Sequence, residues 1–269
     1  MRKELEGTKI LSVIRRDRLI VSIGLASITA VAWLYILDLA KSMPRLDVTG
    51  TDMMKAAAVP NMMSWNPREL ILTFTMWTVM MVAMMTPSTL PMVLQFASIR
   101  RDRHNQHPVT VVITFFVFGY FVVWTLFSGF ATLAQWWLHS IAVLSPEMVV
   151  ISRTLGGILF VVAGVFQWTS LKHRCLNSCR SPIGFFLNEW RDGHAGAVAM
   201  GIRHGCYCLG CCFFLMATLF VAGIMNLLWV GVLAGLVLIE KLFTAGPVIA
   251  RTAGAAMLSW GAWMILTGL

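Results

Sequence analysis

The cysteines of this chain are concentrated in one short region. All six lie between positions 175 and 212 of the 269-residue sequence. Thiolates are soft ligands, and in proteins they select Zn(II), Cu(I) or an iron–sulfur centre rather than Mg(II) or Ca(II). The clustering therefore predicts a soft-metal site. Its thiol ligands come from two groups, Cys175 with Cys179, and Cys206 with Cys208, Cys211 and Cys212.

Helical periodicity places most of the second group on one face. At about 100° per residue, His204, Cys208, Cys211 and Cys212 fall within an arc of about 100°, and Cys206 lies on the opposite side. A helix that began late, after the neighbouring glycines, would let Cys206 turn towards the same centre. The four-residue spacing of the first group also suits one helical face. All six cysteines and His204 are therefore candidate ligands.

The spacing does not select one metal. The Cys208–Cys211 spacing matches the C-x2-C knuckle of zinc sites, but the Cys175–Cys179 spacing is one residue wider. A thiol redox relay and simple packing remain alternatives, because a free cysteine also behaves as a small buried hydrophobe. Copper and zinc are both candidate ions.

Methionines add a second class of soft donor. The chain has 18 of them, and the segment 76–85 carries two helical stripes that include Met84 and Met85. Thioethers are ligands for Cu(I), although methionine also fills irregular helix interfaces. Beside the cysteines, this pattern favours copper and makes Met84 and Met85 candidate intramembrane ligands.

The composition excludes a soluble globular domain. Hydrophobic residues make up 58% of the chain and charged residues 12%, and the mean hydropathy is +0.76. A soluble domain carries about 25% charged residues. Several apolar runs reach the roughly 20 residues that a helix needs to cross a bilayer, and they lack the alternation of barrel strands. The predicted fold is all-α, a polytopic transmembrane helical bundle.

The apolar runs predict about seven spans, or six if the hairpin between the fifth and sixth is misread. A basic leader (1–18) precedes a single transmembrane domain (19–269), which has an outer loop at 41–70 and an inner cysteine-containing loop at 171–204. The predicted spans lie near 19–40, 71–97, 109–137, 148–170, 205–224, 226–240 and 246–268.

The distribution of basic residues predicts the orientation. With a cytoplasmic N-terminus, sixteen of the 21 Lys and Arg residues lie on the inner side, as the positive-inside rule requires. The first cysteine group then lies in the inner loop and the second at the cytoplasmic entrance of the fifth span. The net charge of +9 is explained by anionic lipid headgroups, so no nucleic-acid partner is expected.

Two adjacent charges fall at the inner end of the sixth predicted span. Glu240 and Lys241 either find partners inside the bundle or snorkel to the interface. Snorkelling is the favoured interpretation from the sequence.

Several segments resemble a bacterial family of predicted metal-binding integral membrane proteins, a domain of unknown function. The resemblance covers residues 70–245 approximately, and implies a multi-pass protein of the bacterial inner membrane with a metal site at the matching cysteines. It implies no established reaction. The matching segments are 80–88 (MMVAMMTPS), 171–182 (LKHRCLNSCRSP), 205–212 (GCYCLGCC), Leu215 with Met216, 223–226 (GIMN), and Glu240 with Lys241.

Three functions are consistent with these observations. The leading hypothesis is copper handling or transport at a cytoplasm-facing cysteine cluster. The first alternative is an accessory subunit of a larger membrane complex, in which a metal would be structural. The second is a membrane thiol–disulfide oxidoreductase. The expected partners are the lipid bilayer and either other membrane proteins or further copies of this chain, and no catalytic motif is present.

Overall fold

The computed structural model describes residues 2–42, 66–102, 109–141, 152–224 and 226–268. Within these ranges the chain is helical and has no strand, which confirms the all-α prediction. Most of the predicted outer loop (41–70) and the side chains of most of the basic leader (1–18) lie outside the described residues. The helices are α1 (Arg2–Ser42), α2 (Pro67–Asp102), α3 (Val109–Ser140), α4 (Arg153–Phe166), α5 (Ser170–Arg180), α6 (Pro182–Glu189), α7 (Gly193–Ala217), α8 (Leu219–Ala222), α9 (Leu227–Leu242) and α10 (Gly246–Gly268).

Four helical segments of the described chain are long and apolar enough to cross a membrane. Helices α4 and α5 meet that criterion only as a pair, which is bent by 63° and would make a fifth span. Helix α9 has 16 residues, and neither α9 nor α10 meets the criterion. The count of seven spans therefore stays a prediction. The four segments are Arg18–Lys41, Pro67–Ile99, Val109–Ser140 and Gly193–Ala222.

The structure folds the predicted inner loop at 171–204 into α5, α6 and the first half of α7. Its location on the inner side of a membrane stays a prediction. Thr169 caps α5 by accepting a hydrogen bond from the Lys172 amide, and Pro182 lies in the first turn of α6. Helix α7 begins at Gly193, which has a φ of 81° that suits glycine. Hydropathy could not show these helices, since α5 is polar and is stabilised by the face that it buries.

Glycines set the closest helix contacts. A Cβ atom on Gly201 of α7 would collide with the carbonyl oxygen of Phe116 on α3. A Cβ on Gly157 of α4 would lie 2.7 Å from the carbonyl oxygen of Gly261 on α10, and the reverse contact is equally short. Small residues allow such backbone approach between membrane helices. These contacts make α3 and α7 a parallel pair, and α4 and α10 an antiparallel pair.

The interior divides into two hydrophobic clusters. One contains aromatic rings, with Phe96 stacked on both Phe116 and Phe186 at centroid distances of 4.9 and 5.4 Å. The other contains the buried cysteines together with the methionines of α2. The sulfur-bearing side chains therefore share one core, and we call this group the sulfur core. Its members include Met80, Met81, Met84, Met85, Cys179, Cys208, Cys211, Cys212 and Met216.

Candidate metal centre

Three thiols of α7 are fully enclosed by the bundle. Cys208, Cys211 and Cys212 are each at most 1% exposed. Because α7 begins at Gly193, these residues lie well along the helix, about 22–29 Å from its first residue at 1.5 Å per residue. The helix therefore begins before the predicted start near residue 205, and the location of the thiols at the cytoplasmic entrance of a span stays a prediction. They lie in the interior of the bundle.

Helix α5 brings a fourth thiol to this group. Its inward face carries three buried residues, Lys172, Leu176 and Cys179. Their spacing of four and three residues places them on one side of the helix. The Cys179 thiol is a near neighbour of the Cys211 thiol in the same core. Cys175 lies beside the group, because a Cβ atom on Gly210 would be 3.0 Å from its sulfur.

Four cysteines form one buried group. Besides Cys179 and Cys211, Cys208 and Cys212 lie one helical turn apart on α7 and are buried in the same core. We call Cys179, Cys208, Cys211 and Cys212 the thiol cluster. All six cysteines of the chain are free thiols.

Cys206 lies apart from the thiol cluster. It is exposed, while Cys208 two residues later is buried. Helix α7 runs without interruption through both residues, so it does not begin late in the way that would turn Cys206 inwards. The structure therefore keeps Cys206 on the opposite side of the helix from the cluster.

Lys241 points into the bundle and contacts the thiol cluster. Its Nζ atom lies 2.9 Å from Cys208 Sγ and 3.2 Å from Ser88 Oγ, and the side chain is 8% exposed. The snorkelling interpretation is therefore wrong for Lys241. A buried ammonium group requires partners of this kind, because its desolvation is costly.

A second buried lysine forms an ion pair beside the cluster. Lys172 Nζ lies 2.6 Å from Glu240 Oε2, and both side chains are at most 2% exposed. The snorkelling interpretation also fails for Glu240. Sequence patterns did not indicate this pair, because Lys172 belongs to a run of basic residues that is typical of a solvated loop. The pair ties α5 to α9.

Tyr120 of α3 links the thiol cluster to α2. Its hydroxyl group lies 3.2 Å from Cys208 Sγ and 3.2 Å from the carbonyl oxygen of Met85. The side chains of Met84 and Met85 are fully buried in the same sulfur core. Nothing in the spacing of the sequence indicated Tyr120, because its contacts arise only from helix packing.

His204 lies one helical turn before Cys208 and is buried in aromatic surroundings. Its ring stacks on Phe116 and Tyr120, with centroid distances of 6.1 and 5.5 Å. Its Nδ1 atom is buried and has no hydrogen-bond partner among the residues that the structure describes. An unsatisfied nitrogen of this kind is costly unless something binds it.

Two thiols of the cluster donate hydrogen bonds to the backbone of their own helix. Cys211 Sγ and Cys212 Sγ donate to the carbonyl oxygen of Cys208 at 3.0 and 2.9 Å. Accordingly, no three His, Cys, Asp or Glu side chains of the described residues surround a point that could hold a metal ion. The donor set nevertheless fits a soft cation, since thiol and thioether sulfurs line one core. A metal ion would require the thiols to lose their hydrogens and turn away from the carbonyl.

The comparison with protein families supports a link to copper. A family model described as "PpoB2: Copper chaperone" matches residues 74–264, which is more than half of the chain. No curated protein and no solved structure matches the chain. The match confirms the link to copper, gives no support to zinc, and does not address the membrane or the cysteine-rich motif of the predicted family. The matched region contains the whole thiol cluster, and the chain belongs to the PpoB2 copper chaperone family.

Proposed function

We propose that the chain is an integral membrane protein that handles copper by holding Cu(I) at the thiol cluster. The observation that carries this proposal is the burial of four neighbouring thiols, from α5 and α7, inside a core rich in methionine. A copper chaperone must hold a soft, reactive cation away from other ligands. Buried thiolates are ligands that suit Cu(I), and the surrounding side chains exclude water.

The ligands proposed for copper follow from the contacts. Cys208, Cys211 and Cys212 supply sulfurs from one helix, and Cys179 supplies the facing sulfur. His204 has an unpartnered buried nitrogen one turn away and is a further candidate ligand. Each thiol that binds exchanges its S–H hydrogen for a bond to copper and releases a proton. Cys175 borders the site, and Cys206 takes no part in it.

The methionines provide weaker sites for copper on the way to or from the thiols. Met84 and Met85 are buried on α2, and Tyr120 connects the Met85 backbone to Cys208. Thioethers carry no charge, so they bind Cu(I) without trapping it as thiolates do. In this proposal they exchange copper with the thiol cluster inside the bilayer.

The exposed surface supports a location in a membrane. Helix α1 exposes Val31 and Leu34 at 66% and 65%, and α3 exposes Leu126 at 70%. These residues belong to long helical faces of large apolar side chains, which a protein in water rarely presents. Lipid is the solvent that these faces fit.

The relative directions of the helices support the predicted topology. Phe96, late in α2, stacks on Phe116 near the start of α3. Trp77, early in α2, donates from Nε1 to Oε1 of Gln135 near the end of α3 at 2.7 Å. These two helices are therefore antiparallel. Helices α3 and α7 are parallel, and α4 and α10 are antiparallel. If α2, α3, α4, α7 and α10 are predicted spans two, three, four, five and seven, spans that cross the bilayer alternately have these same relative directions. With the basic segments inside, the N-terminus is cytoplasmic in a bacterial inner membrane.

Elemental analysis of matched cysteine variants tests the proposal. Protein purified from copper-supplemented cells is expected to contain near-stoichiometric copper. The double substitution Cys208→Ser and Cys212→Ser is expected to remove it, because it deletes two of the four sulfurs of the cluster. Cys206→Ser is the control on the same helix and should keep the copper. Equal copper in the double variant and the control would refute the assignment of the site.

A further inference from the structure

Helix α5 covers the thiol cluster from one side. Leu176 and Cys179 of its inner face are buried, whereas Leu171 and Arg174 of its outer face are exposed. The helix is short and polar, and it leaves α4 at an angle of 63°. It is therefore a short separate helix that packs on α7 and covers the thiol cluster.

Two contacts attach α5 to α9, one near each end of the helix. Near the first turn, Lys172 forms its ion pair with Glu240. At the last residue, Arg180 Nη2 donates to the carbonyl oxygens of Phe243 and Thr244 at 2.7 and 2.9 Å. These carbonyls follow the end of α9, where a cation is favourable because the terminal carbonyls lack helical partners. Both cysteines of α5 lie between the two attachments.

The two attachments differ in their access to the surroundings. The Lys172–Glu240 pair is enclosed, with side chains at most 2% exposed. The Arg180 contact lies at the surface, because Phe243 is 58% exposed and Thr244 is also exposed. The end of α5 that carries Cys179 is thus held by a contact that can open without unpacking the core.

We propose that Arg180 is a positioning residue of the thiol cluster, which latches the end of α5 onto the end of α9 and so holds Cys179 against Cys211. This inference rests on the proposed function, because it is the access of copper to the cluster that the latch would control. Release of Arg180 lets α5 pivot about the Lys172–Glu240 pair. The movement separates Cys179 from Cys211 and opens the cluster.

Alkylation rates of individual cysteines test the latch in the metal-free, detergent-purified full chain. With N-ethylmaleimide as the probe, Arg180→Ala is expected to raise the modification rates of Cys179 and Cys211 at least tenfold over the wild type. Arg180→Lys should restore most of the protection, because it can still donate to the same carbonyls. Arg174→Ala removes an equal charge from the outer face of α5 and should leave both rates unchanged.

The exposed thiol and a milder variant keep the test decisive. Cys206 is exposed and serves as the internal reference, and its rate should not change. If Cys208 and Cys212 in Arg180→Ala react as fast as Cys206, the variant has unfolded, and Arg180→Gln, which keeps one donor, then decides the question in its place. Unchanged rates at Cys179 and Cys211 in a folded variant would overturn the proposal, as would an equal rise in Arg174→Ala.

A copper experiment separates this inference from the proposed function. In copper-loaded protein, Arg180→Ala should release Cu(I) to the chelator bicinchoninate at least tenfold faster than the wild type. Wild-type protein that holds no copper would refute the proposed function, while the alkylation result would still decide whether Arg180 positions Cys179. If copper-loaded wild-type and Arg180→Ala proteins released Cu(I) at equal rates, the role of Arg180 would be refuted and the proposed function would stand.

Discussion

The ammonium nitrogen of Lys241 lies 2.9 Å from the sulfur of Cys208, inside the bundle. The lysine comes from the end of α9 and the cysteine from the middle of α7. A cation in direct contact with a buried thiol stabilises a negatively charged sulfur there, because the interior screens charges weakly. This contact therefore prepares Cys208 to act as a thiolate ligand.

Replacing Lys241 with Met is expected to weaken copper retention. Cu(I) bound by two thiolates carries a net negative charge, and the variant lacks the adjacent cation that balances it. We expect the copper remaining after dialysis against a chelator to fall at least tenfold, since a change of about 1.4 kcal/mol already gives that factor. Lys241→Arg keeps the charge and should retain more copper than Lys241→Met. Retention equal to the wild type in Lys241→Met would contradict the role given to this ammonium group.

The Lys172–Glu240 pair is expected to matter for stability. Lys172→Met leaves the Glu240 carboxylate buried without its partner, and breaking a buried pair in this way costs about 3–5 kcal/mol. Adding Glu240→Leu removes the remaining charge and should recover most of that loss. Unfolding in mixed detergent measures both changes.

A surface ion pair provides the control for that experiment. Arg203 Nη1 lies 2.8 Å from Glu189 Oε2, but the arginine side chain is 50% exposed. Arg203→Ala should therefore change the free energy of unfolding by less than about 1 kcal/mol. A loss in Lys172→Met no larger than in Arg203→Ala would show that the buried pair does not form.

The glycine contact between α3 and α7 is expected to be intolerant of a side chain. Gly201→Ala would drive a methyl group into the Phe116 carbonyl oxygen, so the helices would have to separate. We expect a large fall in the melting temperature and loss of copper. Gly231→Ala on α9 is the control, because a Cβ atom there meets nothing within 4 Å. That change should stabilise the chain by about 0.4–1 kcal/mol. Equal melting temperatures for the two variants would rule out the close contact.

The methionines of α2 are expected to affect copper transfer more than copper binding. Leucine nearly conserves the volume of methionine, so Met84→Leu with Met85→Leu should cost under about 1.5 kcal/mol of stability per site. The double variant should bind copper at the thiols but load it more slowly in stopped-flow measurements. Met92→Leu, also buried on α2 but in the aromatic cluster, should load at the wild-type rate. Wild-type loading in the double variant would assign Met84 and Met85 to packing.

Hydropathy and helical periodicity were sufficient for part of this structure. The long apolar runs predicted α2, α3 and the second halves of α1 and α7, because a bilayer-spanning helix needs only length and apolar side chains. The period of about 100° per residue correctly separated Cys206 from Cys208, since both lie on one uninterrupted helix. Those features depend on local sequence alone.

The remaining features depend on tertiary packing. Helix α5 is too polar for hydropathy to detect, and its burial of Lys172 and Cys179 depends on α7 and α9. The contact of Tyr120 with Cys208 joins residues 88 positions apart, and no spacing rule connects them. The start of α7 was predicted too late because its beginning at Gly193 is set by a turn rather than by an apolar boundary.

X-ray absorption spectroscopy at the copper edge shows directly whether the thiol cluster holds copper, because it reports which atoms surround the bound ion. Copper in the wild-type protein and in Cys206→Ser is expected to have mainly sulfur neighbours. This sulfur signal should be lost when Cys208 and Cys212 are both replaced by Ser. A spectrum dominated by nitrogen and oxygen neighbours, or an unchanged sulfur signal in the double variant, would contradict the proposal that the thiol cluster holds copper.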